Sequence, residues 1–203
     1  MQSPTAQSST PHLVRQPPDA DRQWCRIVMN QTTHRWVAAL DPSRLAVLEI
    51  AGTSWEESFA YRSYRAAFYP EYDVCAAPLD DTFDLVIAEQ VFEHLLWPYR
   101  AGRNIYQMLN PGGYLLVTTP FLIRVHDQPV DCSRWTELGL KHLLAECGFP
   151  LDAIRTGSWG NRACVVSNFT EWTLFDSPQR HALDNEPNFP LVVWALAQKE
   201  PRA

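Results

Sequence analysis

Residues 46–59, AVLEIAGTSWEESF, decide the fold of this chain. The run from Ala46 to Ile50 is almost continuously apolar, which is typical of a central parallel strand buried on both faces. Glu49 lies inside that run, and a carboxylate is costly to bury without a partner. We therefore expect Glu49 either to face a ligand at the strand end or to cap a neighbouring helix. Gly52 follows at the turn, so the stretch resembles the opening of a nucleotide-binding fold that lacks most of its glycines.

The later apolar runs predict an alternation of strands and helices. FDLVIAEQ from Phe83 and GGYLLVTTPF from Gly112 predict two more buried parallel strands. The segment between them predicts a helix that begins at Pro98 and stops at Asn-Pro-Gly-Gly, which makes a crossover unit. TELGLKHLLAECGF predicts a helix with Thr136 as its N-cap and Gly148 as its stop. LDAIRTGSW and FPLVVWALAQK predict the last two strands.

Length and composition favour one domain over residues 21–203. Residues 1–20 are rich in Ser, Gln and Pro and predict a flexible tail. The formal net charge of -6 comes without a basic cluster, so nucleic acid is not expected as a partner. The N-terminus lacks a secretory pattern and no apolar run is long enough to span a membrane, so we place the protein in the cytoplasm. Five cysteines without a C-x-x-C pair indicate reduced thiols.

Residues 53–82 are too few for an ordinary doubly wound fold. Such a fold needs a helix, a strand, a second helix and another strand over this part of the chain. The sequence therefore predicts that one side of the sheet is trimmed.

The turn after the first strand does not suit a dinucleotide. A pyrophosphate needs bare backbone amides, which the G-x-G-x-x-G spacing supplies and EIAGTSWE does not. Trp55, Glu56 and Glu57 would also place bulk and negative charge beside the phosphates. A nicotinamide-dependent enzyme is therefore disfavoured, and a ligand with a cationic amino group and no phosphate fits better.

Four motifs in register resemble a known family. VLEIAGT, FDLVIAEQVFEHL, MLNPGGYLLVTTP and ECGF are similar, in order and spacing, to the class I S-adenosylmethionine-dependent methyltransferases over about residues 44–157. The resemblance implies an α/β Rossmann-like sandwich with a mainly parallel seven-stranded sheet and an antiparallel last strand, here trimmed around strands 2–3. It also implies S-adenosyl-L-methionine as the cofactor.

The resemblance also implies where the cofactor binds. The first motif supplies Glu49, Ala51, Gly52 and Thr53, whose loop and acid would face the amino and carboxylate ends of the methionine part. Glu89 and Gln90 end the next recognisable strand, beneath the sulfonium, although acids at such positions are often only helix-dipole partners. The acid that grips the ribose would close the second strand. Glu71 and Asp73 both qualify, and we prefer Asp73 in an extended segment near the ribose or adenine, although aspartates beside Pro and Tyr often only form turns.

The insertion near residues 120–136, within TPFLIRVHDQPVDCSRWT from Thr119, is the predicted acceptor site. His126 is the first candidate for a general base, because histidine titrates near neutral pH. Asp131 or Asp127 would orient His126, and Arg134 would hold an anionic group of the acceptor. The alternatives are that His126 is an ordinary loop histidine and that Asp131 and Arg134 only pair with each other.

A second histidine, His94 in FEHLLWPY, is the reserve base. We expect no metal in HDQPVDC, because this carboxylate-rich cluster has no second histidine nearby.

The long insertion at residues 158–189 completes the candidate site. A loop of that length inside a compact domain is usually functional. Its polar and aromatic residues predict a lid, and its aromatics suit a homodimer interface almost as well. The lid candidates are Trp159, Asn161, Arg162, Trp172 and Asn188.

The sequence thus predicts methyl transfer to an oxygen or nitrogen of a small metabolite or glycan precursor. The alternative is a catalytically silent methyltransferase-like module that binds a protein partner through residues 158–189.

Overall fold

The computed structural model describes residues 22–127 and 130–202, and these residues form a six-stranded sheet with helices on both faces. The helices are α1 (Ile27–Ala38), α2 (Pro98–Met108), α3 (Glu137–Glu146) and α4 (Arg162–Ser167). The strands are β1 (Ala46–Ile50), β2 (Ser63–Ala67), β3 (Phe83–Glu89), β4 (Leu109–Pro120), β5 (Ile154–Trp159) and β6 (Val192–Gln198).

The strands lie in the order β2-β1-β3-β4-β6-β5. β1 pairs in parallel with β2 and β3, and β3 pairs in parallel with β4. β6 runs antiparallel to both β4 and β5. The mainly parallel sheet with an antiparallel last strand is therefore confirmed.

Two apolar layers cover the two faces of the sheet. One layer packs α2 and α3 against the sheet through Ile105, Met108 and Leu144. The other packs α1 and α4 through Met29 and Cys164. Every residue of β1 is buried, as the continuous apolar run predicts for a strand covered on both faces.

The predicted ends of the helices agree with the structure. α2 begins at Pro98, and the N–H of Gly139 donates to Oγ1 of Thr136 at 3.1 Å, which caps α3. Gly148 follows α3 with φ of +117°, a conformation that side-chain-bearing residues rarely adopt.

The prediction of seven strands is wrong, because the described residues form six. The chain between β1 and β2, residues 51–62, contains only turns and bends, and so does the chain between β2 and β3, residues 68–82. These connections leave no chain for two helices and an outer strand, so β2 is the edge of the sheet. The expectation of a sheet trimmed on this side is confirmed.

Aromatic side chains cover the sheet where the first crossover helix is missing. The indole of Trp55 is buried and stacks on the ring of His34 in α1, with centroids 4.2 Å apart. Phe59 continues the stack at 6.4 Å from Trp55, and Tyr61 lies edge-on against Phe59 at 5.9 Å. Three aromatic rings of this turn thus replace a helix on this face, and Tyr64 of β2 stacks beside Tyr61.

The predicted tail, residues 1–20, lies outside the described residues. Among the residues that the structure does describe, no helix has the length and apolar character needed to cross a bilayer.

In an open α/β sheet, a crevice forms between neighbouring strands whose connections leave in opposite directions, here between the carboxyl ends of β1 and β3. From β1 the chain crosses to β2 on one side, and β3 lies on the other side of β1. In open α/β sheets, ligands bind outside the carboxyl ends of the strands at such a switch point. The loops that follow Ile50 and Glu89 therefore frame the candidate site.

Candidate cofactor and acceptor site

Glu49 at the end of β1 fixes the loop after β1 through hydrogen bonds to its side-chain carboxylate. Its Oε1 accepts hydrogen bonds from the N–H and the hydroxyl of Ser54, both at 3.1 Å. Its Oε2 accepts from the N–H of Trp55 at 3.0 Å and from the hydroxyl of Tyr64 at 2.6 Å. Burial raises the pKa of Glu49, although these donors counteract it. Glu49 thus caps a turn, not a neighbouring helix, and it shapes the loop at the switch point.

The glycine of the first motif is required by this arrangement. A Cβ on Gly52 would lie 2.3 Å from Oε1 of Glu49, so a side chain would displace the carboxylate from the loop amides. Ala51 has φ of +60°, and Gln90 at the end of β3 has φ of +54°. Both strands therefore turn sharply at the crevice, where Ala51 and Thr53 are exposed.

Glu89 at the end of β3 is a second buried carboxylate beside the first. Its Oε1 lies 3.2 Å from Nη1 of Arg26, and its Oε2 accepts from the indole N–H of Trp55 at 2.8 Å. The side-chain amide of Gln90 donates to Oγ1 of Thr118 at 3.0 Å, which fixes it beside β4.

Three residues that hold this edge together were not predicted as site residues: Arg26, Trp55 and Tyr64. Two acids at buried strand ends require donors, and this requirement is the sequence signal for such partners. It does not show which Arg, Trp or Tyr supplies them.

The sequence predicts an extended segment around Asp73, but the structure forms a turn there. β2 ends at Ala67, and Asp73 is exposed, with its Oδ1 accepting from the N–H of Cys75 at 2.8 Å in a turn. This is the local turn role of aspartate. The thiol of Cys75 lies 3.6 Å from the carbonyl oxygen of Trp97, so the turn sits beside the loop that follows β3. The ribose contact stays a prediction for Asp73 and for Glu71.

The structure brings His126, Asp131 and Arg134 together. Arg134 donates to both carboxylate oxygens of Asp131, one of these bonds at 2.5 Å. The N–H of His126 donates to Oδ2 of Asp131 at 2.9 Å, and its ring Nδ1 lies 3.3 Å from the same oxygen. Burial would raise the pKa of Asp131, but the Arg134 contacts outweigh it and hold the pKa at about 2. Asp131, and not the exposed Asp127, therefore orients His126. Arg134 binds the carboxylate of Asp131 and holds it in place.

His94 and Glu93 lie beside this group. The rings of His94 and His126 meet edge-to-face with centroids 5.0 Å apart, and Nε2 of His94 lies 3.6 Å from Oε1 of Glu93. The carboxylate of Glu93 is fully buried and has no hydrogen-bond partner among the described residues. Burial raises the pKa of Glu93 to about 8. The reason for expecting no metal, the lack of a second histidine, therefore does not hold.

Within the 158–189 insertion, the proposed lid residues divide into internal and site-facing groups. Trp159 is buried and donates its indole N–H to the carbonyl oxygen of Leu183 at 3.0 Å. Asn161 is buried and caps α4 by accepting from the N–H of Cys164 at 2.8 Å. Trp172 lies edge-on to His126, with centroids 5.6 Å apart. Trp172 thus joins the insertion to the predicted acceptor site.

Comparison with known proteins identifies the family. The methyltransferase-domain family matches residues 20–154, which is more than half of the chain, so the chain belongs to this family of class I S-adenosylmethionine-dependent methyltransferases. The chain is therefore a methyltransferase with S-adenosylmethionine as its cofactor, and a nicotinamide enzyme and a silent binding module are both set aside. A search of curated proteins finds no match to the chain.

Solved structures share the fold at low sequence identity. Phosphoethanolamine N-methyltransferase 2 of Haemonchus contortus, in complex with S-adenosyl-L-methionine, is 13% identical, with a TM-score of 0.53 over 84% of this chain and 53% of that chain. An S-adenosylmethionine-dependent methyltransferase of Archaeoglobus fulgidus is also 13% identical, with a TM-score of 0.51 over 86% of this chain and 94% of that chain.

The crevice between β1 and β3 suits this cofactor. Glu49 and Glu89 are buried at its base, where Trp55 and Arg26 hold them and so fix the loop that follows β1. The exposed loop at Ala51 and Thr53 presents backbone without a large side chain. These loop residues, with Gln90, would hold the methionine part of the cofactor.

Proposed function

We propose that this methyltransferase transfers a methyl group to an oxygen or nitrogen of a small polar metabolite or glycan precursor. One observation carries the proposal: His126, oriented by Asp131, lies beside the loop after β3 at the carboxyl edge of the sheet. The insertion at residues 120–136 contains His126, and the insertion at residues 158–189 contacts His126 through Trp172. A polar, partly enclosed acceptor site fits a small molecule.

The chain's own residues align the acceptor and remove its proton. S-adenosylmethionine supplies an activated methyl group on its sulfonium when it is bound. Asp131 lies on the Nδ1 side of His126, so Nε2 is the ring nitrogen that faces the acceptor side. Burial and the neighbouring His94 lower the pKa of His126, which keeps the imidazole neutral and able to accept a proton near pH 7. The ring of Trp172 contacts the His126 ring edge-to-face and bounds the site on that side.

The test combines a transfer assay with a cofactor-binding measurement. Labelled S-adenosylmethionine is incubated with the protein and a panel of small amines, phenols and hydroxy acids, and S-adenosylhomocysteine binding is measured by calorimetry. His126→Asn should reduce turnover by about 10²- to 10⁴-fold and leave cofactor affinity unchanged. His142→Asn, on the exposed side of α3, is the matched control and should retain turnover. Near-normal turnover in His126→Asn would refute the role of His126.

The remaining expectations belong to the same proposal. The five cysteines are all free thiols, which supports a cytoplasmic location. The homodimer stays a prediction, and light scattering at several protein concentrations tests it.

A further inference from the structure

Glu93, His94 and His126 form a cluster that methyl transfer to a small acceptor does not by itself explain. One ligand atom from each residue lies within 4.8 Å of the other two. Atoms bound to one ion at about 2.1 Å lie at most about 4.2 Å apart, so small side-chain rotations bring the three onto a common ion. Glu93 and His94 follow β3, whereas His126 follows β4, so the cluster joins two loops at the carboxyl edge of the sheet.

The tautomer of His94 is fixed by its backbone partner. Its Nδ1 lies 2.5 Å from the carbonyl oxygen of Val130, which can only accept a hydrogen bond. Nδ1 therefore carries the proton, and the lone pair of the neutral ring is on Nε2, the atom near Glu93. A ligating histidine is usually oriented in this way by a backbone carbonyl.

His126 is oriented by a carboxylate. The nearest partner of its Nδ1 is Oδ2 of Asp131 at 3.3 Å, closer than Nη2 of Arg134 at 3.4 Å. Arg134 can only donate, so its hydrogen bond uses the lone pair of Nδ1 when no ion is bound. An ion on Nε2 requires the proton on Nδ1, where Oδ2 of Asp131 is the acceptor within reach. The carboxylate–histidine–metal arrangement is the other common way in which a ligating imidazole is fixed.

The buried carboxylate of Glu93 supports a cation at this cluster independently of the orientation of the two histidines. Both of its carboxylate oxygens are buried and without a hydrogen-bond partner among the described residues, so its ionised form costs free energy unless a cation binds. The two nearby guanidinium groups are engaged elsewhere, since Arg26 pairs with Glu89 and Arg134 with Asp131. The backbone carbonyl of Glu93 accepts from the N–H of Cys132 at 2.8 Å, which docks the second loop onto the first.

We propose that Glu93, His94 and His126 bind a divalent transition-metal ion through one carboxylate oxygen and two imidazole nitrogens. This ligand set suits ions such as Zn²⁺, Mn²⁺, Fe²⁺ or Co²⁺ and leaves coordination positions open. The cluster lies in the predicted acceptor site, so an acceptor oxygen that reached the ion would lose its proton to water more readily. That role rests on the proposed function, whereas binding of the ion does not. With the ion bound, Nε2 of His126 is a ligand and not the base.

The first experiment measures the ion alone. The metal-free, untagged full chain is titrated with Co²⁺ and followed by visible absorption and calorimetry. We expect saturable binding of one ion, weakened at least 100-fold in Glu93→Gln, His94→Gln and His126→Asn. His142→Gln and Cys132→Ser should bind as the wild type does. Failure of the wild type to bind Co²⁺, or loss of binding in Cys132→Ser, would overturn the assignment.

The second experiment separates the ion from the proposed base. Glu93→Gln replaces a buried carboxyl group with a neutral amide of nearly the same size, so the metal-free variant should unfold at no lower temperature than the metal-free wild type, and this shows that it folds. Transfer activity should be lost after chelation and restored by the metal. If the chelated protein keeps full, His126-dependent turnover, the ion has no role in transfer while the proposed function stands. If the ion binds but no acceptor is methylated, the proposed function fails and the metal site stands.

Discussion

The indole N–H of Trp55 donates to Oε2 of Glu89 at 2.8 Å, while the backbone N–H of the same residue donates to Oε2 of Glu49. One buried residue thereby connects the carboxyl ends of two neighbouring parallel strands, β1 and β3. In the absence of a crossover helix, this connection holds the loop of the first motif against the sheet. The geometry of the cofactor edge therefore depends on Trp55.

Trp55→Phe should destabilise the protein by about 1–3 kcal/mol, because it leaves an oxygen of the buried Glu89 without its donor. Urea unfolding measures the change. Trp97→Phe is the matched control, since Trp97 is 57% exposed, and it should change the free energy of unfolding by less than about 0.5 kcal/mol. Equal effects of the two substitutions would show that the Trp55 N–H contributes nothing.

The ionisation of Glu49 should make stability depend on pH. Burial raises the folded-state pKa of Glu49 above its ordinary value of 4.5. The folded state then holds a proton that the unfolded chain has already released, so the free energy of unfolding falls as pH rises from about 4.5 through the raised value. Glu49→Gln has no proton to release at this site. The stability of the wild type relative to Glu49→Gln should therefore decrease as pH rises.

Urea unfolding of both proteins at several pH values checks this expectation. Glu57→Gln, at an exposed acid in the same turn, is the control for the loss of one carboxylate from this turn. A constant or increasing difference for Glu49→Gln would contradict the sign of the shift.

Local sequence signals predicted the elements of the fold well. Pro98 and Thr136 mark helix starts through backbone chemistry that involves only neighbouring residues. The apolar run from Ala46 to Ile50 requires only burial on both faces. The number of strands came from the family resemblance, and it was wrong because residues 53–82 lack the chain length for the outer strand. The length of that segment was the better guide.

The site was less predictable because its contacts join distant loops. His94 and His126 were each recognised as candidate bases, yet their edge-to-face contact depends on the docking of Cys132 on the carbonyl of Glu93. No periodicity encodes such a contact. Glu93 is fully buried and has no hydrogen-bond partner among the described residues, yet it gave no signal in FEHLLWPY, where an acid before a helix looks like an ordinary dipole partner.

Gly52→Ala should weaken the binding of S-adenosylhomocysteine at least ten-fold. The new Cβ would lie 2.3 Å from Oε1 of Glu49 and would displace the carboxylate from the N–H groups of Ser54 and Trp55. Calorimetry measures the affinity. The control is Gly139→Ala in α3, where a Cβ meets nothing closer than 3.4 Å, and it should bind as the wild type does. Wild-type affinity in Gly52→Ala would show that the loop tolerates a displaced Glu49.

Asp73 and Glu71 remain the two candidates for the ribose contact, and a pair of isosteric substitutions separates them. The carboxylate of Asp73 accepts from the N–H of Cys75, and an asparagine oxygen accepts the same bond. Asp73→Asn therefore keeps the turn and removes only the negative charge of the carboxylate, which would accept hydrogen bonds from the two ribose hydroxyls. We expect it to weaken S-adenosylhomocysteine binding by about 1–3 kcal/mol with no change in melting temperature.

Glu71→Gln is the matched substitution at the rival exposed acid and should leave the affinity unchanged. Asp73→Ala removes the turn as well as the charge, so it should lower the melting temperature in addition to the affinity. The contact belongs to Glu71 if only Glu71→Gln weakens binding. If neither isosteric substitution does, neither acid of the segment after β2 contacts the ribose, and the prediction of an acid at this position is wrong.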